Sequence, residues 1–158
     1  MGKKNEGAGI VMSGLSVERA VLAGISLGIQ EQCLDLAVDY SRQRKQFGLP
    51  ISKFELIQEK IANMYVGIEA SRLLIYKSLQ VLQKDKSKNR EAAAAIMFAA
   101  ETSTKTALDA IQIMGGYGYM KEFRVEKLMR DAKLLEIGAG TTEIRKMIIA
   151  RELLEESA

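Results

Sequence analysis

The chain contains no histidine. A histidine triad, a histidine general base and a histidine metal site are therefore excluded. It has a single cysteine, Cys33, so no intrachain disulfide can form and no cysteine cluster exists to bind zinc. A lone cysteine suits a reducing compartment such as the cytoplasm. Proline occurs once, at Pro50, which leaves room for long helices. Charge of one sign is not concentrated. The net charge is +3 with 27% charged residues, and the one basic cluster, Arg42-Gln-Arg-Lys45, is too short to make a nucleic-acid surface. No apolar run is expected to be long enough to cross a bilayer, and no secretory signal pattern opens the chain. No strand, internal repeat or low-complexity segment stands out.

What is present is helical periodicity over 158 residues, one domain's length, with 47% hydrophobic residues to build a core. Residues 1–14 read as a flexible lead-in, and 15–158 as the folded domain. Ser16 is placed to cap a first helix running to about Arg44, with Val21, Leu22, Ile25, Ile29, Leu36 and Val38 on its apolar side. Gly24 and Gly28 would let another backbone come close. Phe47-Gly-Leu-Pro50 breaks the pattern. Ser52-Lys-Phe-Glu55 matches a capping box for a second helix, whose inward stripe is Phe54, Ile57, Ile61, Met64, Ile68, Leu74, Leu79 and Leu82. A polar connector over 84–89 leads to a third helix from Arg90 to Met114, stopped by a glycine loop. Shorter helices follow over Arg124–Leu135 and Thr142–Glu155. Long helices on short connectors predict an all-α, up-down antiparallel four-helix bundle with an additional short C-terminal helix.

Four segments invite chemistry, and each has a plain alternative. In Gln112-Ile-Met-Gly-Gly-Tyr-Gly-Tyr119 the glycines fit a helix stop, but three in four residues also bare backbone N–H groups to a phosphate or flavin edge. Arg42-Gln-Arg-Lys-Gln-Phe-Gly48 fits a basic helix end, or an arginine fork and an aromatic set for a pyrophosphate and adenine. In Glu136-Ile-Gly-Ala-Gly-Thr-Thr-Glu143 a helix runs into small residues and a new helix begins, a junction where free N–H groups attract an anion or a carbonyl oxygen. Glu18 fits a dipole-friendly carboxylate in the first turn of a helix, or a base. Tyr40 fits either a core aromatic or a pocket lining.

Taken together and in order, Leu15-Ser-Val-Glu-Arg19, Arg44-Lys-Gln-Phe-Gly48, Gln112-Ile-Met-Gly-Gly116 and Asp131-Ala-Lys through Gly140-Thr141 resemble the C-terminal helical domain of the acyl-CoA dehydrogenases, over almost the whole chain. The resemblance implies FAD as cofactor and oxidation of an acyl-CoA thioester to the trans-2-enoyl-CoA. In many members the base precedes the last Gly-Thr, where this chain has Ala139. Isovaleryl- and long-chain-type members place it on the first helix, at the position of Glu18. By the same matching Arg19, Tyr40, Ala139 and Gly140 are substrate-side, with the Gly140 N–H polarising the thioester carbonyl. Arg44, Gln46 and Phe47 face a neighbouring subunit's flavin. Gln112, Ile113, Met114, Gly115 and Gly116 face its adenosine end, and Thr141 and Glu143 sit at the cofactor junction. Glu55 departs from the glutamine usual in the family, which puts a cofactor contact there in doubt. The resemblance further implies a homodimer or homotetramer, an electron-transfer flavoprotein as acceptor and, in a eukaryote, the mitochondrial matrix. Two rivals are a helical assembly module without catalysis and an acyl-CoA oxidase domain.

Overall fold

The computed structural model describes residues 2, 5–85 and 88–155, with the side chains of 12 and 13 left aside. Residues 86 and 87 of the predicted connector lie outside it. Three long helices dominate: α1 (Gly7–Gln43), α2 (Glu55–Lys84) and α3 (Arg90–Met114). A single turn, α4 (Gly116–Tyr119), precedes α5 (Arg124–Ile137) and α6 (Thr142–Glu155). The up-down antiparallel bundle is formed by α1, α2, α3 and α5, and α6 is the short C-terminal helix packed on α3.

The core centres on α3, whose inward face is mostly alanine: Ala92, Ala95, Ala99, Ala100, Ala107 and Ala110 are fully buried, with Ile96 among them. Small side chains let neighbouring helices come close. Gly67 of α2 does the same, since a Cβ there would lie 2.7 Å from Thr102 Cγ2. Gly24 and Gly28 do not play the part expected of them, because nothing lies within 4 Å of a Cβ at either. The expected apolar side of α1 is also corrected: Val21 and Ile25 are exposed, and the buried stripe is Ala20, Ala23, Ile29, Cys33 and Ala37.

Helix α1 starts at Gly7, so Ser16 is not its cap. Ser16 is buried inside the helix and its hydroxyl donates to Asn89 Oδ1. By length and composition α1 meets the measure of a membrane span, which revises the expectation that no run is long enough. It also buries Arg19, Ser26 and Gln30 among its neighbours. Gln30 Nε2 donates to the Ala99 carbonyl at 3.1 Å and its Oε1 accepts from the Ser71 hydroxyl at 3.1 Å. Such groups are costly in lipid, and α1 packs against α3, α2 and α5 in the bundle.

The capping box at Ser52 is not made. Residues Ile51–Lys53 form a turn of 3-10 helix, Phe54 stands at the N-cap of α2, and no side chain caps it. Between α1 and that turn lies a small hairpin that the sequence reading did not anticipate, β1 (Lys45–Gln46) paired antiparallel with β2 (Leu49–Pro50). Its tip, Phe47-Gly48, has φ of 52° and 81°, as a two-residue turn of the hairpin type requires.

Candidate functional site

The predicted residues gather at two places along α1. The first is where α1 ends. A cavity of 620 Å³ is lined by Tyr40, Arg44, Gln46, Ile113, Met114, Gly115 and Gly116, together with Ile51, Tyr117 and Met120. The hairpin holds one wall: the Arg44 N–H donates to the Tyr40 carbonyl at 2.9 Å, and the Ile51 N–H donates to the Arg44 carbonyl at 2.9 Å. Tyr117 forms the other, its ring 6.2 Å from that of Tyr40 and 5.2 Å from that of Phe123. Phe47 is not part of this lining. It projects from the hairpin tip, 87% exposed, its ring edge-on to Phe54 at 6.2 Å. Gln112 is exposed on the outer side of α3.

The glycines of this cavity have different reasons to be glycine. Gly115 ends α3 at φ 60°, ψ −136°, a conformation costly for any side chain. At Gly118 a Cβ would lie 2.7 Å from the Ile111 carbonyl oxygen. At Gly116 a Cβ would meet nothing within 4 Å, and its φ is negative. The packing of the domain itself does not call for glycine there. The segment expected as a loop is the helical turn α4.

The second place is the α5–α6 junction, against the N-terminal part of α1. Arg19 Nε donates to the Ala139 carbonyl at 3.2 Å. Ala139 and Gly140 both have positive φ, 54° and 94°. A Cβ on Gly140 would lie 3.6 Å from Arg19 Nη2. Glu18, the residue before Arg19, is exposed on the adjoining face of α1. Thr141 starts the new helix: its hydroxyl accepts from the Ile144 N–H at 3.5 Å, and it helps hold the Glu143 carboxyl below the usual range, second to the Glu143 backbone N–H. The geometry brings Arg19, Ala139, Gly140, Thr141 and Glu143 together, with Glu18 at their edge.

One residue of this junction escaped the sequence reading. Arg145, on α6, is wholly buried, and its Nη2 donates to the Leu135 carbonyl at 2.8 Å and the Gly138 carbonyl at 2.6 Å. Burial lowers its pKa, the nearby Arg19 lowers it further, and Glu136 and Glu101 oppose both. Burial likewise lowers Arg19, against the attraction of Glu18. A spacing rule for α6 reads Arg145 as one more surface cation.

From Glu18 to Tyr40 along α1 is about 33 Å at the rise of an α-helix. The two clusters are therefore separate places on this chain.

The family model described as "Acyl-CoA dehydrogenase, C-terminal domain" matches residues 5–154. The chain belongs to that family. The isovaleryl-CoA dehydrogenase, mitochondrial, of Oryza sativa subsp. japonica is 49% identical over 156 residues, covering 99% of this chain and 38% of that protein. The 2-methylacyl-CoA dehydrogenase, mitochondrial, of Solanum tuberosum is 44% identical, covering 98% of this chain and 38% of that protein. Among solved structures, butyryl-CoA dehydrogenase from Megasphaera elsdenii is similar at a TM-score of 0.91 and 41% identity, over 97% of this chain and 40% of that one. The chain thus spans well under half the length of these acyl-CoA dehydrogenases. Ile51, Tyr117 and Met120 join the candidate set of this acyl-CoA dehydrogenase domain through the cavity they line. Glu55 opens α2, exposed and without a capping partner, so its capping role is not realised.

Proposed function

We propose that the protein carrying this domain is an FAD-dependent acyl-CoA dehydrogenase that converts an acyl-CoA to the trans-2-enoyl-CoA, with residues 15–158 as its C-terminal helical domain. The observation that carries the reading is the meeting of α1 with the α5–α6 junction. Arg19 is bonded to Ala139, a residue without an acid, and the adjacent residue on α1 is the carboxylate Glu18. Glu18 is the base that removes the α-proton. Exposed on this domain, it would be covered by the acyl chain and the parts of the enzyme that face α1. Backbone N–H groups of the junction receive the thioester oxygen as negative charge builds on it, which lowers the barrier.

The first cavity fits a dinucleotide edge. Gly116 leaves room that a Cβ would fill, Arg44 offers a fork to phosphate, and Tyr40 and Tyr117 offer aromatic faces. When bound, FAD supplies the acceptor for the β-hydrogen. By the family resemblance, the residues about Arg44 and Gly116 serve the flavin of a second copy, while those about Glu18 serve the substrate of their own, an arrangement with which the separation of the two clusters on α1 agrees. This reading makes the enzyme a homodimer or homotetramer. Its electrons pass to an electron-transfer flavoprotein, and it works in the cytoplasm or, in a eukaryote, the mitochondrial matrix. Relatives named for isovaleryl-CoA and 2-methylacyl-CoA favour a short branched acyl chain.

Glu18→Gln in the complete enzyme tests the assignment. The variant is expected to keep flavin and acyl-CoA while turnover falls about 10²–10⁴-fold, the usual contribution of a general base. Flavin reduction by acyl-CoA at the parent rate would remove Glu18 from the mechanism. Glu18→Gly combined with Ala139→Glu should restore part of the activity.

A further inference from the structure

We propose that Arg145 is a positioning residue for the thioester carbonyl, acting with Arg19 as a clamp that sets the direction of two backbone N–H groups. The inference rests on the acyl-CoA dehydrogenase reading above. In a trans peptide the C=O of one residue and the N–H of the next point in opposite directions. Arg145 holds the Gly138 carbonyl at 2.6 Å, so the Ala139 N–H is turned away from it. Arg19 holds the Ala139 carbonyl at 3.2 Å, so the Gly140 N–H is turned away in its turn. The Ala139 N–H has no hydrogen-bond acceptor among the described residues, and the Gly140 N–H has only the weak turn contact that closes residues 138–139. Ala139, at φ 54°, is held in a conformation that L side chains resist, with Gly140 following at φ 94°, and the guanidiniums supply the holding force. Arg145 also ties the Leu135 carbonyl at 2.8 Å, which fixes the end of α5 relative to the turn.

The placement of charge points the same way. Arg145 is fully buried, and among the described residues its Nε and Nη1 have no hydrogen-bond partner and it makes no ion pair at contact distance. Two buried guanidiniums behind one turn make the junction electropositive. An oxygen that gains negative charge on the other side of the turn is stabilised by that field as well as by the N–H groups. A guanidinium retained for stability alone would be expected to sit against a carboxylate.

The test uses the complete enzyme and thioester-carbonyl-labelled [1-13C]isovaleryl-CoA, bound to the Glu18→Gln background so that it does not turn over. Isotope-edited infrared spectroscopy reads the carbonyl stretch. In the parent background the band should fall on binding. Adding Arg145→Gln should return it towards its solution position. In an otherwise parental enzyme Arg145→Gln should lower kcat about 10²-fold, the scale of a small misplacement at a reacting group, with KM changed far less. Arg145→Lys keeps the charge and loses the two-carbonyl fork, so it should resemble Arg145→Gln. Full activity in Arg145→Lys, or an unmoved carbonyl band in a folded Arg145→Gln, overturns the clamp. Should both variants fail to fold, amide hydrogen exchange at 139 and 140 in the parent enzyme decides: slowing on addition of acyl-CoA supports the clamp, and no change at either amide overturns it. A parent enzyme whose flavin is never reduced by acyl-CoA overturns the functional reading instead, and that outcome is distinct from the others.

Discussion

Arg145 and Arg19 take three carbonyl acceptors between them, those of Leu135 and Gly138 for the first and Ala139 for the second, and among the described residues neither makes an ion pair with a carboxylate. At the scale of single residues the junction is held by backbone oxygens, which a motif search does not see. Cys33 is the opposite case: visible in the sequence, silent in the structure. It is fully buried against Ala37 and the α3 core, and burial pushes its thiol up to about 12. Only the thiolate reacts, so a thiol reagent such as dithionitrobenzoate should label the native chain only as fast as it unfolds. Labelling within seconds under native conditions would contradict the buried placement. Glu18, Arg19, Ala139 and Gly140 were singled out through the family resemblance of the strings they stand in, and the fold brings Arg19, Ala139 and Gly140 together. Arg145 was not singled out, because its neighbours in sequence, Glu143 and Lys146, are exposed charges and only the turn of α6 separates it from them.

At the scale of elements, the helix spans were readable to within a few residues over α3, α5 and α6, where apolar period and glycine stops agree. They failed at caps. Ser16 and Ser52 are good capping residue types, yet one is buried in mid-helix beside Asn89 and the other lies in a 3-10 turn that gives its carbonyl to Gln58 Nε2 at 3.0 Å. Tertiary packing decided the first and the local 3-10 turn the second. The hairpin was missed because two-residue strands carry no period. The glycine turn after α3 gives a sharp contrast to measure. Gly118→Ala sets a Cβ against the Ile111 carbonyl at 2.7 Å and should cost about 1–3 kcal/mol, the usual range for overpacking. Gly116→Ala meets open space and should melt near the parent temperature while the complete enzyme loses flavin on gel filtration. Equal stability losses at both positions would show that Gly116 also serves the fold, and full flavin retention in Gly116→Ala would take it out of the cofactor surface.

At the scale of the whole molecule, much apolar surface is left on the outside. Leu56, Val66, Leu73 and Tyr76 are exposed along α2, Val17, Val21 and Ile25 along α1, and Met147 and Leu154 on α6. Surface of that extent is characteristic of contact faces. The chain alone is therefore expected to fold, with a helical circular dichroism spectrum and a cooperative melt, and to self-associate. Sedimentation at tens of micromolar should show dimers or larger, and monomer alone would argue that these faces meet other domains only. The length of α1 adds one thing more. If the arm that grips the adenosine end of a flavin belongs to a different copy from the arm that holds the thioester, cofactor retention is a bimolecular quantity. Diluting the enzyme then strips its colour along the same curve that separates its subunits, and adding excess FAD pulls the subunits back together, as linkage between a ligand and an assembly demands.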